Sequence, residues 1–365
     1  MQDLPLELIS SILGLLGRSD IGAVRGANKF LHALATPRAF ESLTVIDTVA
    51  SAQGFSRLQS IPDIAKCVQS VVFQPASSRP RSTFSYQVPL FAGSAFTEAD
   101  SNKRAAVPLA FTALYKLPHL KSLRFVFHDV CKHHLGKHHL SMQYAILKAA
   151  FSAPLPSLKS LTLKHLSCVP SALCESWAFE DFILPLESLS IDVDTFSLLL
   201  REEDSDVREL GEFWARMTPI LYASQSVTTL HLESNVPIMI VEFPTTALPH
   251  LTSLSLARLF FNTQDEPGCP ESFILLHRGH LARLTLEDCP LYGRNRVWAR
   301  PWAVVLAGLK SQMLALRSIA VTGLQYAYED SDPGRGCRTS DAEVVGVDGT
   351  TDKNELRALL TEVQR

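Results

Sequence analysis

Leu155-Pro156-Ser157-Leu158-Lys159-Ser160-Leu161-Thr162-Leu163 shows most plainly the pattern on which the chain is built. Its anchors fall at 158, 161 and 163, and the last two alternate with a polar residue, as on a short strand with one buried face. The same pattern recurs as Phe40/Leu43/Val45, Val68/Val71/Phe73, Leu120/Leu123/Phe125, Leu186/Leu189/Ile191 and Val227/Leu230/Leu232. It closes with Leu251/Leu254/Leu256, Leu281/Leu284/Leu286 and Leu316/Ile319/Val321. Four members follow a Leu-Pro pair, at 117–118, 155–156, 184–185 and 248–249.

The residue before the second anchor is Ser42, Ser70, Ser122, Ser160, Ser188, Thr229, Ser253, Arg283 and Ser318. Seven serines in nine positions lock the alignment, because a slip of one residue would turn every side chain to the other face. The next outward column runs Thr44, Val72, Arg124, Thr162, Ser190, His231, Ser255, Thr285, Ala320, and a third includes Lys164, Asp192, Glu233 and Glu287. Leucines here read as core and the small hydroxyls as an inner wall. The larger outward residues, Arg124, Lys164, Asp192, His231, Glu233, Arg283 and Glu287, are the candidates for touching a bound protein.

Helix-like segments lie between the strands at Met142–Phe151, Ser171–Phe182, Val207–Tyr222, Ser272–His277 and Trp302–Met313. Strand, return helix and strand, at intervals of roughly 24 to 52 residues, is the pattern of a repeat array in which each unit buries its apolar face against its neighbours. Residues 75–107, rich in Ser, Pro and Ala, read as a loop insertion, and 329–352 as a flexible tail. Leu356/Leu359/Leu360/Val363 give residues 353–365 a short amphipathic helix suited to capping the array.

The first 43 residues differ. Pro5 suits a helix start, Asp3 is a candidate cap, and Leu8/Ile9, Ile12/Leu13 and Leu16 form a wide apolar face. Gly17 ends that helix, Ser19 or Asp20 caps the next, and Pro37 stops it. Three short helices enclose a small core and leave apolar side chains over, so the surplus face is a docking surface or packs on the following repeats.

Leu4-Pro5-x-Glu7-Leu8-x3-Ile12-x3-Leu16-x3-Asp20-Ile21-x2-Val24-Arg25-x3-Lys29, followed by Leu34, Pro37 and Phe40, resembles an F-box, with Gly26-Ala27 where a hydrophobic pair is usual. The later strands resemble the divergent leucine-rich repeats that follow an F-box in many fungal proteins, as in Leu281-x2-Leu284-Thr285-Leu286-Glu287-Asp288-Cys289-Pro290. The implied fold is α/β: a three-helix F-box over 1–43, then an irregular leucine-rich-repeat solenoid over 44–328, with parallel strands on the concave side and helices outside. The implied function is that of a non-catalytic substrate-recognition subunit of a Skp–cullin–F-box (SCF) ubiquitin ligase. Its partners would be the Skp adaptor, the cullin complex and a target protein. Leu4, Pro5, Leu8, Ile9, Ile12 and Val24 would meet the adaptor. The alternatives are a repeat scaffold outside any ligase and a metal- or ligand-sensing binding protein.

A formal charge of −3 in 365 residues gives no support for a nucleic-acid or membrane-surface role, and no apolar run reaches the roughly 18 residues that span a bilayer. Seven cysteines without a Cys-x-x-Cys pair favour reduced thiols in cytosol or nucleus. His128, Cys131, His133, His134 and His138 crowd one loop and include zinc-ligand types. Their spacing fits no structural-zinc pattern and Lys132 and Lys137 oppose a cation, so no metal and no cofactor is expected. No Gly-x-Ser-x-Gly elbow, phosphate loop or His-Glu-x-x-His helix occurs. Trp214, Trp298 and Trp302 read as core.

Overall fold

The computed structural model describes residues 4–76, 98–127, 137–167, 177–194, 221–238, 243–262, 269–294, 302–323, 325–329 and 343–346. The chain is α/β and folds as two compact units, Met1–His128 with Ser141–Leu158, and Asp129–Leu140 with Lys159–Arg365.

The first unit opens with α1 (Leu6–Leu15), α2 (Arg18–Ala27) and α3 (Lys29–Phe40). Ile9, Leu13, Ile21, Leu31 and Ala35 are buried between them, with Leu16, Val24, Leu34 and Ala39 packed at the margin. Asn28 divides what the sequence reads as one helix: its Oδ1 accepts from the Leu31 N–H at 2.8 Å and caps α3. Pro37 does not stop the helix, which runs on to Phe40. A proline costs the helix one bond, to the carbonyl four residues back, without forcing the residues after it out of the helix, and Arg25 secures the pair by bonding Thr36 Oγ1 at 3.0 Å and lying over the Phe40 ring. Gly17 is the N-cap of α2, with neither Ser19 nor Asp20 in that position.

These helices share their unit with β1 (Ser42–Ile46), α4 (Val49–Gln59), α5 (Pro62–Ala65), β2 (Ser70–Gln74), α6 (Glu98–Phe111), β3 (Ser122–Val126) and, from Ser141 on, α7 (Lys137–Phe151). The strands are parallel and pair Ser42 with Ser70 and Ser70 with Ser122. Their inward residues meet a cluster of rings, in which Phe111 lies 5.8 Å from Phe55, 5.6 Å from Phe73 and 5.4 Å from Phe125. The predicted loop over 75–107 is helical from Glu98, with Val107 buried.

The second unit holds β4 (Ser160–Ser167), α8 (Trp177–Ile183), β5 (Ser188–Asp194), β6 (Thr229–Ile238), β7 (Ser253–Leu259), β8 (Phe261–Asn262), α9 (Pro270–Leu276), β9 (Arg283–Glu287), β10 (Pro290–Arg294), α10 (Trp302–Gln312), β11 (Ser318–Thr322), β12 (Gln325–Glu329) and β13 (Glu343–Gly346). Strands β4, β5, β6, β7, β9 and β11 are parallel neighbours in that order, and 160, 188, 229, 253, 283 and 318 are mutual partners. The column of the sequence is thus a real row across the sheet. Leu161, Leu189, Leu230 and Leu232 face inward and are fully buried. Leu155-Pro156 and Leu248-Pro249 make turns that lead the chain into its strand: the Leu158 N–H bonds Leu155 O at 3.0 Å, and the Leu251 N–H bonds Leu248 O at 3.1 Å. Proline suits the second position of such a turn because its φ is preset.

One repeated feature has no signal in the leucine pattern. His165, Arg258, Asp288 and Gly323 have φ of 54°, 54°, 49° and 59°, and each stands five residues after its member of the row (160, 253, 283, 318). The left-handed residue re-aims the chain, so that after 258, 288 and 323 it enters a second sheet, β8, β10 and β12 in parallel with β13 antiparallel at its edge. Strand β13 lies within the predicted tail of 329–352. Trp302 is fully buried with its ring 5.1 Å from Phe261. His277, also buried, accepts the Leu248 N–H on Nε2 at 2.8 Å, which leaves the Nδ1 proton to donate to Phe273 O. Trp214, Trp298 and the helix expected over 353–365 lie outside the described residues.

Candidate functional site

Two surfaces carry the sequence candidates, one in each unit. On the first, α1 presents a different set of residues on each side. Ile9 and Leu13 go into the helical core, whereas Leu8 and Ile12, four apart and hence stacked on one side, are 51% and 49% exposed. Leu4, Pro5 and Leu15 extend that exposed apolar row, Leu6 is exposed on another side of α1, and Phe30 is exposed at the start of α3. Of the six residues proposed from sequence, Leu4, Pro5, Leu8 and Ile12 are open. Ile9 is buried, and Val24 is half-buried against the core, so neither belongs to the exposed row. The helical period explains the correction: adjacent residues such as 8 and 9 cannot share one face.

On the second unit, the outward face of β4 to β7 gathers Lys164, Asp192, His231 and Glu233. Asp192 and Glu233 are register partners on adjacent strands. Strand β4 reaches them through a bulge: Leu163 pairs with Ile191 and Leu166 with Val193, so that Lys164 and His165 together face Asp192. The Asp192 carboxylate accepts the His165 N–H and lies 3.8 Å from His165 Nδ1. Glu233 is held from both sides. His231 Nε2 lies 3.2 Å from one oxygen and, since an ionised carboxylate only accepts, carries the proton. The Arg258 guanidinium donates to the other oxygen and, through Nε, to Ser234 O.

These contacts drive the two carboxyls apart. The hydrogen bond from His231, aided by Arg258, lowers Glu233 from the ordinary 4.5 to about 2. Burial raises Asp192, and the charge of Glu233 adds to it against the opposing pull of His165 and Lys164. A firmly ionised carboxylate thus stands beside one that keeps its proton more readily. The arrangement offers donors and acceptors on a pinned framework, suited to gripping a polar polypeptide surface.

The other candidates stand apart. Arg124 is exposed on β3 in the first unit; Arg283 and Glu287 are exposed on β9, and neither enters an ion pair among the described residues. The residues that sequence missed are His165, Arg258, and the buried Asp194 with its partly buried partner Asn235, joined at 2.7 Å. Among the described residues no three His, Cys, Asp or Glu side chains are grouped to hold a metal ion. His128, Cys131, His133 and His134 lie outside the described residues, as does the side chain of His138. No described helix is long and apolar enough to cross a membrane. No family model matches the sequence, and no curated protein matches it.

Proposed function

We propose that the chain is the substrate-recognition subunit of an SCF-type ubiquitin ligase. The exposed row Leu4, Pro5, Leu8 and Ile12 docks on the Skp adaptor, and the strand-bearing remainder is an irregular leucine-rich-repeat array that holds a target protein. The observation that carries this reading is that row. The three helices complete a core of their own from Ile9, Leu13, Ile21, Leu31 and Ala35 and still leave large apolar side chains in water at helical spacing. The resemblance of residues 4–40 to an F-box supplies the partner. The polar face around Asp192 and Glu233, with Arg283 and Glu287 as further contacts, meets the target. The chain makes and breaks no bond; it raises the concentration of target lysines at the conjugating enzyme. The test is co-purification with the Skp adaptor and cullin, abolished by Pro5→Ala with Ile12→Asp. Retention of the adaptor by that double variant overturns the docking face. Capture of adaptor without cullin by the intact chain supports a repeat scaffold instead.

A further inference from the structure

A cleft of about 540 Å³ opens in the first unit beside α1, on a side of that helix different from the Leu8–Ile12 row. Ser10 and Gly14 of α1 line it, Leu13, Leu34 and Pro37 give it apolar surface, and Arg38, Lys66, His119 and Lys121 stand around it. This volume lies within the range of pockets that enclose a few side chains. We infer that the cleft receives an acidic peptide segment of a partner protein, with one apolar side chain resting on Leu34 and Pro37 and carboxylates meeting Lys66 and Lys121.

The charge inventory points to that occupant. Glu41 is the one acidic residue lining the cleft, and Arg38 already pairs with it. Lys66 is held only at 3.8 Å by an Asp63 side chain that is almost wholly exposed, a pairing worth little in water. Lys121 and His119 make no side-chain hydrogen bond or ion pair among the described residues. The cleft therefore carries cations without compensation in a chain whose net charge is negative. Its lysines have fixed backbones: the Lys121 N–H bonds Gln69 O at 2.8 Å, the Gln69 N–H bonds Glu41 O at 2.8 Å, and the Lys66 N–H bonds Pro62 O at 3.1 Å. Such pre-set positions favour a particular spacing of carboxylates. An apolar surface among so few cations favours a peptide over a nucleic-acid backbone, which needs many phosphate contacts.

The experiment uses the full chain and fluorescence anisotropy of a labelled peptide of about ten residues, mostly Glu and Asp with one central leucine. Expected is saturable binding that weakens with salt. Lys66→Glu with Lys121→Glu is expected to weaken it at least about tenfold, and replacing the peptide's leucine by serine several-fold. Gly14→Glu is a second variant: a Cβ at Gly14 meets nothing within 4 Å and Glu favours helix over Gly, so lost binding there is not lost folding. The inference stands apart from the adaptor reading, because Ile12→Asp is expected to leave peptide binding unchanged. It is overturned by absent binding, by unchanged affinity in the lysine double variant, or by an oligonucleotide of equal charge binding as well as the peptide.

Discussion

Leu8 and Leu232 are the same side chain in opposite circumstances. Leu8 lies on a helix of the first unit and is half in water, while Leu232 lies on β6 of the second unit and is fully buried. The helices close their small core with five buried residues and have apolar surface to spare. The strands of β4 to β7 spare no leucine, and what they show outward is polar and mutually tied, as in Asp192 with His165 and Glu233 with Arg258. Surface that is apolar and unpartnered is fit for lasting association, whereas polar groups fixed by their neighbours favour discrimination. The two units thus expose surfaces of opposite kind, one apolar and open to water, the other polar and pinned by its own neighbours.

The sharpest way to break this contrast is to shorten one residue of each kind. Leu232→Ala is expected to cost about 2–5 kcal/mol, since it empties a closed core, while Ile12→Ser stays within about 0.5 kcal/mol. Denaturant midpoints measure both, and a comparable loss at Ile12 would show that the row is needed for folding.

Gly323→Ala comes next in size. At φ of 59° any side chain is strained by about 1–2 kcal/mol, and its Cβ would also meet Asp288 Oδ1 at 1.7 Å. A loss of at least about 2 kcal/mol is expected by thermal melting. Asp288→Gly in the same chain is expected to recover the steric part and leave the backbone strain.

The smallest effect separates the two carboxyls. Glu233 titrates lower in the folded chain than its ordinary 4.5, so its stabilisation is present above pH 4.5 and disappears as pH falls towards 2. Glu233→Gln should cost about 1 kcal/mol at neutral pH, solvent screening being allowed for, and flatten that acid limb. Asp192 titrates higher, so its contribution is greatest in acid and lessens as pH rises through its raised value. Asp192→Asn is therefore expected to be near neutral at pH 7, and its acid limb should move opposite to that of Glu233→Gln.

Much of the framework could be read from the residues. The serine row at 160, 188 and 253 emerged intact because alternation along a strand is a property of the backbone, and the leucines beside it admit only one buried face. Helices at 270–276 and 302–312 were found within two residues of their ends. Asn28 escaped notice because a cap of one residue leaves the three-to-four apolar spacing almost undisturbed. Pro37 does not end α3, because proline costs a helix one bond and one close contact to the carbonyl four residues back without forcing the following residues out of it. The segment from Glu98 looked like loop by composition, yet α6 packs against α4, Gln59 Nε2 reaching Ala110 O at 3.1 Å. Of the charged site, Lys164, Asp192, His231 and Glu233 follow from the outward columns, whereas His165 and Arg258 do not, because both have a left-handed backbone that strand alternation does not foresee.

Periodicity alone was enough for the strands of the serine row, their register and their buried leucines, which follow from the period of a short peptide and the aversion of apolar groups to water, but it held no sign of the second sheet. Only the tertiary structure decided that Leu8 and Ile12 remain outside while Ile9 goes in, and that Glu233 is held by Arg258 from another strand. Burial and charge pairing belong to residues brought together from distant parts of the chain, and no local pattern records which neighbours will arrive.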